Sequence, residues 1–217
     1  MQANNKIYLF GGAIFLAIFL GIAVQDTNKA TLPKGQYSFT DIKTIDLNKD
    51  YNFAGELVPK NNFDALERLE RELLVNAYWH SNSLMMVKKG KRYFPVIEKI
   101  LAEKGVPDDI KYLAAAESSF YNATSPSGAK GIWQFLEGTA KEYGLEVNND
   151  IDERNNLEKS TRAACDMLTK LKNKFGNWTL AAAAYNMGGS GLAREMDNQR
   201  ASSYYDMNLN NETLRYV

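Results

Sequence analysis

The chain has 217 residues, of which 45% are hydrophobic and 12% aromatic, and its formal net charge is zero. This length suits one sizeable domain with an appendage, and the lack of a basic excess argues against nucleic acid as a partner. A single cysteine, Cys165, excludes an internal disulfide and a cysteine-based metal cluster. A Ser-His-Asp triad would need the one histidine, His80, and zinc would need mainly carboxylate ligands. We therefore expect neither a metal nor a cofactor.

An uncharged apolar stretch occupies residues 7–24. As a helix it would be about 27 Å long, close to the thickness of a bilayer core. A signal peptide usually has a shorter apolar region, of roughly 7 to 15 residues. We therefore favour an uncleaved transmembrane anchor within residues 1–25 over a cleaved signal segment. In both cases the remaining chain is expected to be exported, and no cysteine follows that could carry a lipoprotein anchor.

Residues 26–60 are polar and lack helical periodicity, which predicts a juxtamembrane linker followed by an extended arm packed on the domain. From residue 61 to 217 the pattern is helical almost throughout, so the expected fold class is mainly α. Helix signals, with glycines as C-terminal caps and Asn177 as an N-cap, predict helices near 66–77, 83–89, 93–104, 107–118, 136–143, 157–175, 178–187 and 190–197. Another helix is expected to start near Asn210.

The helix that begins near Pro107 carries the most informative residue. Ile110, Leu113, Ala114 and Glu117 share one face of this helix, and only Glu117 is polar. A carboxyl group on a core-facing stripe, near the helix C-terminus, should have a raised pKa because burial and the helix dipole both disfavour its charge. The residue is therefore predicted to be a proton donor, although a structural glutamate bonded to loop amides would give the same pattern.

Polar and flat side chains follow Glu117 along the chain. Ser118 comes next, and a glycine-containing loop leads to Gln134 between Trp133 and Phe135. Aromatic faces suit sugar rings, and an amide can both donate and accept hydrogen bonds. Further on, Tyr185 and Asn186 end a helix before a Gly-Gly break. Core packing of the two aromatic residues, and helix capping by Tyr185 and Asn186, remain open alternatives.

The order of these motifs is similar to that of the soluble-lytic-transglycosylase-like family of peptidoglycan-cleaving enzymes. The motifs are Glu117-Ser118, then Ser125 to Gln134 with Gly128, Gly131 and Trp133, then Ala184-Tyr185-Asn186. Residues 138–144, 152–161, 204–206 and 212–213 resemble the membrane-bound lytic murein transglycosylase D branch. The resemblance covers residues 58–217 and implies a lysozyme-like helical fold.

The resemblance also implies roles for individual residues. Glu117 would act as acid and then base on the bond between N-acetylmuramic acid and N-acetylglucosamine, leaving a 1,6-anhydro end. Ser118, Ser125, Gln134, Tyr185 and Asn186 would contact the substrate or orient Glu117, and Gly128 and Gly131 would shape the loop. The implied partners are peptidoglycan glycan strands and a membrane at the cell envelope, with the domain in the periplasm; protein partners stay unknown.

Two other functions compete with this one. A goose-type-lysozyme-like hydrolase on the same fold would need a second acid, such as Asp150 or Asp152. A catalytically silent wall-binding or scaffold protein would need no acid at all. A basic cluster, which comprises Lys88, Lys89, Lys91 and Arg92, either faces an anionic wall or lipid or is a solvated helix end.

Overall fold

The structure is a computed structural model that describes residues 44–217. The stretch 7–24, predicted to be a membrane anchor or signal segment, lies outside the described residues, so that expectation stays a prediction, as do the predicted domain boundaries. Within residues 44–217 no helix is long and apolar enough to cross a bilayer.

The stretch expected to be an extended arm forms a small antiparallel hairpin of β1, Asn52–Phe53, and β2, Glu56–Leu57. Hydrogen bonds join the hairpin to two helical elements of the domain. The backbone N–H of Ala54 donates to Asp109 (2.8 Å), and the Glu56 carboxylate accepts the backbone N–H groups of Trp178 and Thr179. The anionic Glu56 therefore satisfies free donors at a helix N-terminus.

Eight α-helices follow the hairpin in the described part of the chain, as the sequence pattern predicts for a mainly α protein. They are α1 Phe63–Tyr78, α2 His80–Lys104, α3 Lys111–Ser118, α4 Glu137–Glu142, α5 Leu157–Phe175, α6 Trp178–Met187, α7 Gly189–Gln199 and α8 Asn211–Leu214. Short 3-10 turns cover Asp108–Ile110, Glu153–Asn155 and Tyr204–Asp206. The predicted bounds of α5 and α6, and the capping role of Asn177, are confirmed.

The prediction of two separate helices at 83–89 and 93–104 is wrong, because α2 runs through both Gly90 and Pro95. Pro95 cannot donate to the carbonyl of Lys91, but Lys91 is on an exposed part of the helix where water can bind that carbonyl. Gly90 is buried, and a Cβ there would lie 2.8 Å from the Phe94 ring. The glycine thus allows close packing instead of ending the helix.

The predicted start of the Glu117 helix at Pro107 is also too early. Pro107 has extended backbone angles and precedes the 3-10 turn, and α3 begins only at Lys111. The core lies between α2, α3, α5 and α6, with Ile97, Leu113 and Leu168 fully buried. In α6 the side chains of 181–184 are all alanine and fully buried, which lets neighbouring helices approach closely. This packing fixes the two helix ends that carry the candidate site.

Candidate active site

Glu117 is the penultimate residue of α3, and the chain turns sharply just after it. Ser119 and Phe120 both have positive φ, at 47° and 56°, a conformation that non-glycine residues rarely adopt. The turn is held by packing, because Phe120 is buried and stacks against Tyr93 at 5.3 Å between ring centroids. The helix therefore ends where Glu117 reaches a surface cavity.

Ser118 fixes this turn from inside. Its hydroxyl lies within hydrogen-bonding distance of the carbonyls of Ala114 (3.1 Å) and Ile132 (3.0 Å), and it accepts the backbone N–H of Phe120. Ser118 does not line the cavity that contains Glu117. The expectation that Ser118 contacts substrate stays a prediction; in the structure its hydroxyl joins the end of α3 to the following loop.

The loop after α3 folds back on itself through a two-residue ladder between Lys130 and Phe135, which exchange backbone hydrogen bonds of 3.0 and 3.1 Å. Gly131 has φ 81°, and a Cβ at this position would lie 2.0 Å from the carbonyl oxygen of Arg154. Gly128 also has positive φ, but a Cβ there would meet open space. Gly131 is thus required for close approach, and Gly128 only for its backbone conformation.

The buried Arg154 supports the loop, a role that the sequence pattern did not indicate. Its guanidinium donates to the carbonyls of Gly128 (2.9 Å) and Phe135 (3.2 Å) and pairs with Asp152 at 2.8 Å. Asp152 also pairs with Lys130 at 3.0 Å, and the Arg154 contact holds the pKa of Asp152 well below its usual range. Asp152 is therefore a structural anion.

Neither Asp150 nor Asp152, the two proposed second acids of a hydrolase, lines the cavity at Glu117.

Trp133 does not offer a face to a sugar, because it is fully buried and its indole N–H donates to Thr161 at 2.9 Å. The alternative of core packing is correct for this residue. Phe135 is also buried, but it borders the cavity.

The cavity has a volume of about 340 Å³ and brings together residues that are far apart in sequence. Five of the predicted site residues line it: Glu117, Ser125, Gln134, Tyr185 and Asn186. The amide nitrogen of Gln134 donates to the Gly131 carbonyl at 2.7 Å, and the Ser125 hydroxyl accepts the Ala129 N–H at 3.0 Å. These contacts hold both side chains in place at the cavity wall.

Tyr185 and Asn186 lie in the last turn of helix α6 and line the cavity. The Tyr185 hydroxyl donates to the carbonyl of Trp133 at 2.7 Å, which joins α6 to the loop. The Asn186 amide donates to Glu212 at 3.1 Å, and its oxygen accepts the Thr213 hydroxyl at 2.7 Å. Asn186 therefore holds α8 against the site.

The segment at α8 supplies two site residues that the sequence pattern did not indicate. The Tyr216 hydroxyl donates to Glu117 Oε1 at 2.5 Å, and Glu212 lines the same cavity. Glu117 and Tyr216 are 99 positions apart, so no local spacing signals this contact. The resemblance singled out Glu212 and Thr213 as family-like, but gave them no role.

Burial is the largest influence on Glu117 and raises its pKa from an ordinary 4.5 to about 7. The hydrogen bond from Tyr216 opposes this rise because it stabilises the carboxylate, and the nearby charge of Glu212 adds to it. A helical domain that holds one carboxyl group of this kind in an open cavity, amid amide and hydroxyl groups, has the arrangement expected of a general acid.

Comparison with known proteins identifies the family. Residues 94–208 match the family described as Transglycosylase SLT domain, so the chain belongs to that family, and the resemblance seen in the motifs is confirmed. The chain is 30% identical over 167 residues to Membrane-bound lytic murein transglycosylase D of Escherichia coli K12. The match covers 74% of this chain but only 36% of that protein.

Two further relatives share shorter regions. Over 100 residues the chain is 38% identical to Peptidoglycan transglycosylase gp16 of Escherichia phage T7. This match covers 44% of this chain and 8% of the phage protein. Over 115 residues it is 30% identical to a Putative tributyltin chloride resistance protein of Alteromonas sp., covering 51% of this chain and 56% of that protein. In every case the chain spans less than two thirds of the relative's length.

Proposed function

We propose that the chain is a peptidoglycan lytic transglycosylase that cleaves the bond between N-acetylmuramic acid and N-acetylglucosamine without consuming water. Glu117 carries the proposal, because a carboxyl group with a pKa of about 7 can hold a proton near neutral pH and later release it. Membership of the SLT family and the transglycosylase names of two relatives support it.

In the proposed reaction the Glu117 carboxyl group gives its proton to the glycosidic oxygen as the bond from that oxygen to C1 of muramic acid breaks. The Glu117 carboxylate then takes the proton of the C6 hydroxyl as that oxygen bonds to C1. The product ends in a 1,6-anhydro ring and Glu117 regains its proton. A glycoside hydrolase normally uses a second carboxylate, either as the nucleophile or as the base that activates water. Here the substrate supplies the nucleophile, so one carboxyl group suffices.

The surrounding residues would divide the remaining work. Ser125, Gln134 and Asn186 line the cavity with groups that can bind the hydroxyls and acetamides of a glycan strand. Tyr185 would position the wall of the cavity through its bond to the Trp133 carbonyl. Tyr216 would orient the carboxyl group of Glu117 and stabilise its ionised form after the first proton transfer.

The family also suggests where the protein works and how it folds in detail. We propose a lysozyme-like arrangement of the helices and a place in the cell envelope, because the Escherichia coli relative is named membrane-bound. The uncharged stretch 7–24 would anchor the chain, or direct its export, with the catalytic domain in the periplasm.

The proposal is tested with Glu117→Gln, which keeps the size of the side chain and an acceptor for Tyr216 but removes the titrating proton. We expect the variant to bind purified peptidoglycan and release no soluble fragments. The matched control is Glu67→Gln on the exposed surface of α1, which should cleave like the parent chain. Release of anhydro fragments by Glu117→Gln would contradict the proposal.

One observation favours a second candidate, a hydrolase of the same bond. Glu212 lines the cavity together with Glu117, and two carboxyl groups flanking a sugar can activate a water molecule. The products distinguish the two functions, because hydrolysis leaves a reducing end and transglycosylation an anhydro end. Binding without cleavage by the parent chain would instead favour the wall-binding scaffold.

A further inference from the structure

Helices α1 and α2 form a corner in which the single residue Trp79 separates them. Large apolar side chains are exposed around this corner: Trp79 is 55% exposed, Leu84 68% and Val87 61%. Val75 and Met85 are exposed beside them. We call these five residues the corner patch. Single exposed apolar residues are ordinary, but five within residues 75–87 form a group of the kind that marks a docking surface.

Along α2, the charged residues next to the corner patch are all basic. Lys88, Lys91 and Arg92 are exposed on α2 within eight residues of Leu84, and we call these three residues the basic collar. No acidic residue occurs from position 73 to 97, in a chain whose net charge is zero. Lys89 is excluded from the collar because its ammonium contacts the Tyr121 ring and donates to the Ser119 carbonyl.

Charge decides which partner fits this surface. Docking of a second copy through the same surface would bring two basic collars together, which costs electrostatic energy. The sequence of residues 1–43 carries Lys6, Lys29, Lys34 and Lys43 against Asp26 and Asp41, so this segment is not complementary to the collar either. The surface of a bilayer that contains anionic phospholipids is complementary in both respects, since it binds cations at the headgroups and apolar groups below them.

We propose that the corner patch and the basic collar dock the domain on anionic phospholipid. Trp79, Leu84 and Val87 enter the interface between headgroups and acyl chains, where a tryptophan is favoured, and the collar binds the phosphates. Because Lys89 of the same helix contacts the residue two positions after Glu117, docking would hold the site at a fixed height above the bilayer. The proposal rests on exposure and charge, and not on the proposed reaction.

The test uses the full chain reconstituted in vesicles whose acyl chains carry bromine, which quenches tryptophan emission on contact. The difference in emission between the parent chain and Trp79→Phe isolates Trp79 from the other two tryptophans. We expect Trp79 to be quenched in vesicles with phosphatidylglycerol, but much less in pure phosphatidylcholine or at high salt. Replacing Lys88 or Lys91 with alanine should each lower the ratio of docked to undocked protein about fivefold.

The matched control replaces Lys172 and Lys174 of α5 with alanine, outside the collar, and should leave quenching unchanged. Unquenched Trp79 in anionic vesicles would overturn the proposal. So would quenching that is indifferent to phosphatidylglycerol, to salt and to the collar lysines. An emission change that follows protein concentration and not lipid would point to a second copy and would overturn it too. Cleavage of peptidoglycan is not a readout in this experiment, so its result is independent of the proposed activity.

Discussion

The hydrogen bond from Tyr216 to Glu117 gives a prediction with a definite sign. The bond stabilises the carboxylate, so Tyr216→Phe should raise the pKa of Glu117 above its value of about 7. A hydrogen bond to a charged group contributes about 1.5–3 kcal/mol, and 1.36 kcal/mol corresponds to a tenfold change in protonation. The pKa of Glu117 should therefore rise to roughly 8 or 9.

The assay is the pH dependence of kcat/KM for release of soluble fragments from peptidoglycan, which reports the pKa of the free enzyme. In the proposed reaction Glu117 must be protonated at the start, so activity should fall on the alkaline side, and in Tyr216→Phe this fall should begin at higher pH. Glu212→Gln removes a like charge and should move the fall toward lower pH.

Tyr204→Phe is the matched control, because it removes a buried hydroxyl that donates to the Thr213 carbonyl in the same segment but does not bind Glu117. The activity of Tyr204→Phe should fall on the alkaline side at the same pH as the activity of the parent chain. If Tyr216→Phe leaves the fall in place, or moves it to lower pH, then Tyr216 does not stabilise the Glu117 carboxylate and the reasoning is refuted.

Three further predictions concern stability and the loop. The pKa of Glu117 is raised from 4.5 to about 7, so its contribution to folding stability is fully present below pH 4.5 and is lost as pH rises through 7. In thermal unfolding, Glu117→Gln should therefore be as stable as the parent chain below pH 4.5. Above pH 7 it should be more stable than the parent chain by up to about 3 kcal/mol. Gly131→Ala should lower the free energy of unfolding by over about 2 kcal/mol, because its Cβ would meet the Arg154 carbonyl. Gly128→Ala should lower it by only about 1 kcal/mol, because its Cβ would meet open space. Equal losses for the two variants in denaturant unfolding would contradict this account. Asp152→Asn should lower unfolding stability above pH 4, where the depressed pKa of Asp152 makes the ion pair stabilising, yet a folded sample of the variant should still release the same product; loss of cleavage by the folded variant would restore Asp152 as a catalytic acid.

Local patterns predicted the parts of the fold that local energetics determine. The bounds of α5 and α6 were predictable because Asn156 and Asn177 cap their N-termini and Gly176 ends α5 in the left-handed region. The break predicted within α2 was wrong because one glycine costs a helix only about 1 kcal/mol, which a helix of 25 residues tolerates. Gly90 is buried, and a Cβ there would meet the Phe94 ring one turn further along the same helix.

The candidate site was predictable in part for the same reason. Glu117 was detectable because it interrupts an apolar helical stripe within its own helix. Tyr216 and Glu212 reach Glu117 only through the tertiary fold, and no periodicity joins positions so far apart. The inward turn of Ser118 depends on the positive φ of Ser119 and Phe120, which are conformations that their residue types disfavour and that only packing imposes.

The central claim is that Glu117 alone handles the proton while the sugar supplies the attacking oxygen. The most direct measurement is mass spectrometry of the fragments that the chain releases from peptidoglycan in isotopically labelled water. We predict muramic acid ends that are lighter than reducing ends by one water and that carry no label. Labelled reducing ends would show that water attacks C1, and would contradict the account.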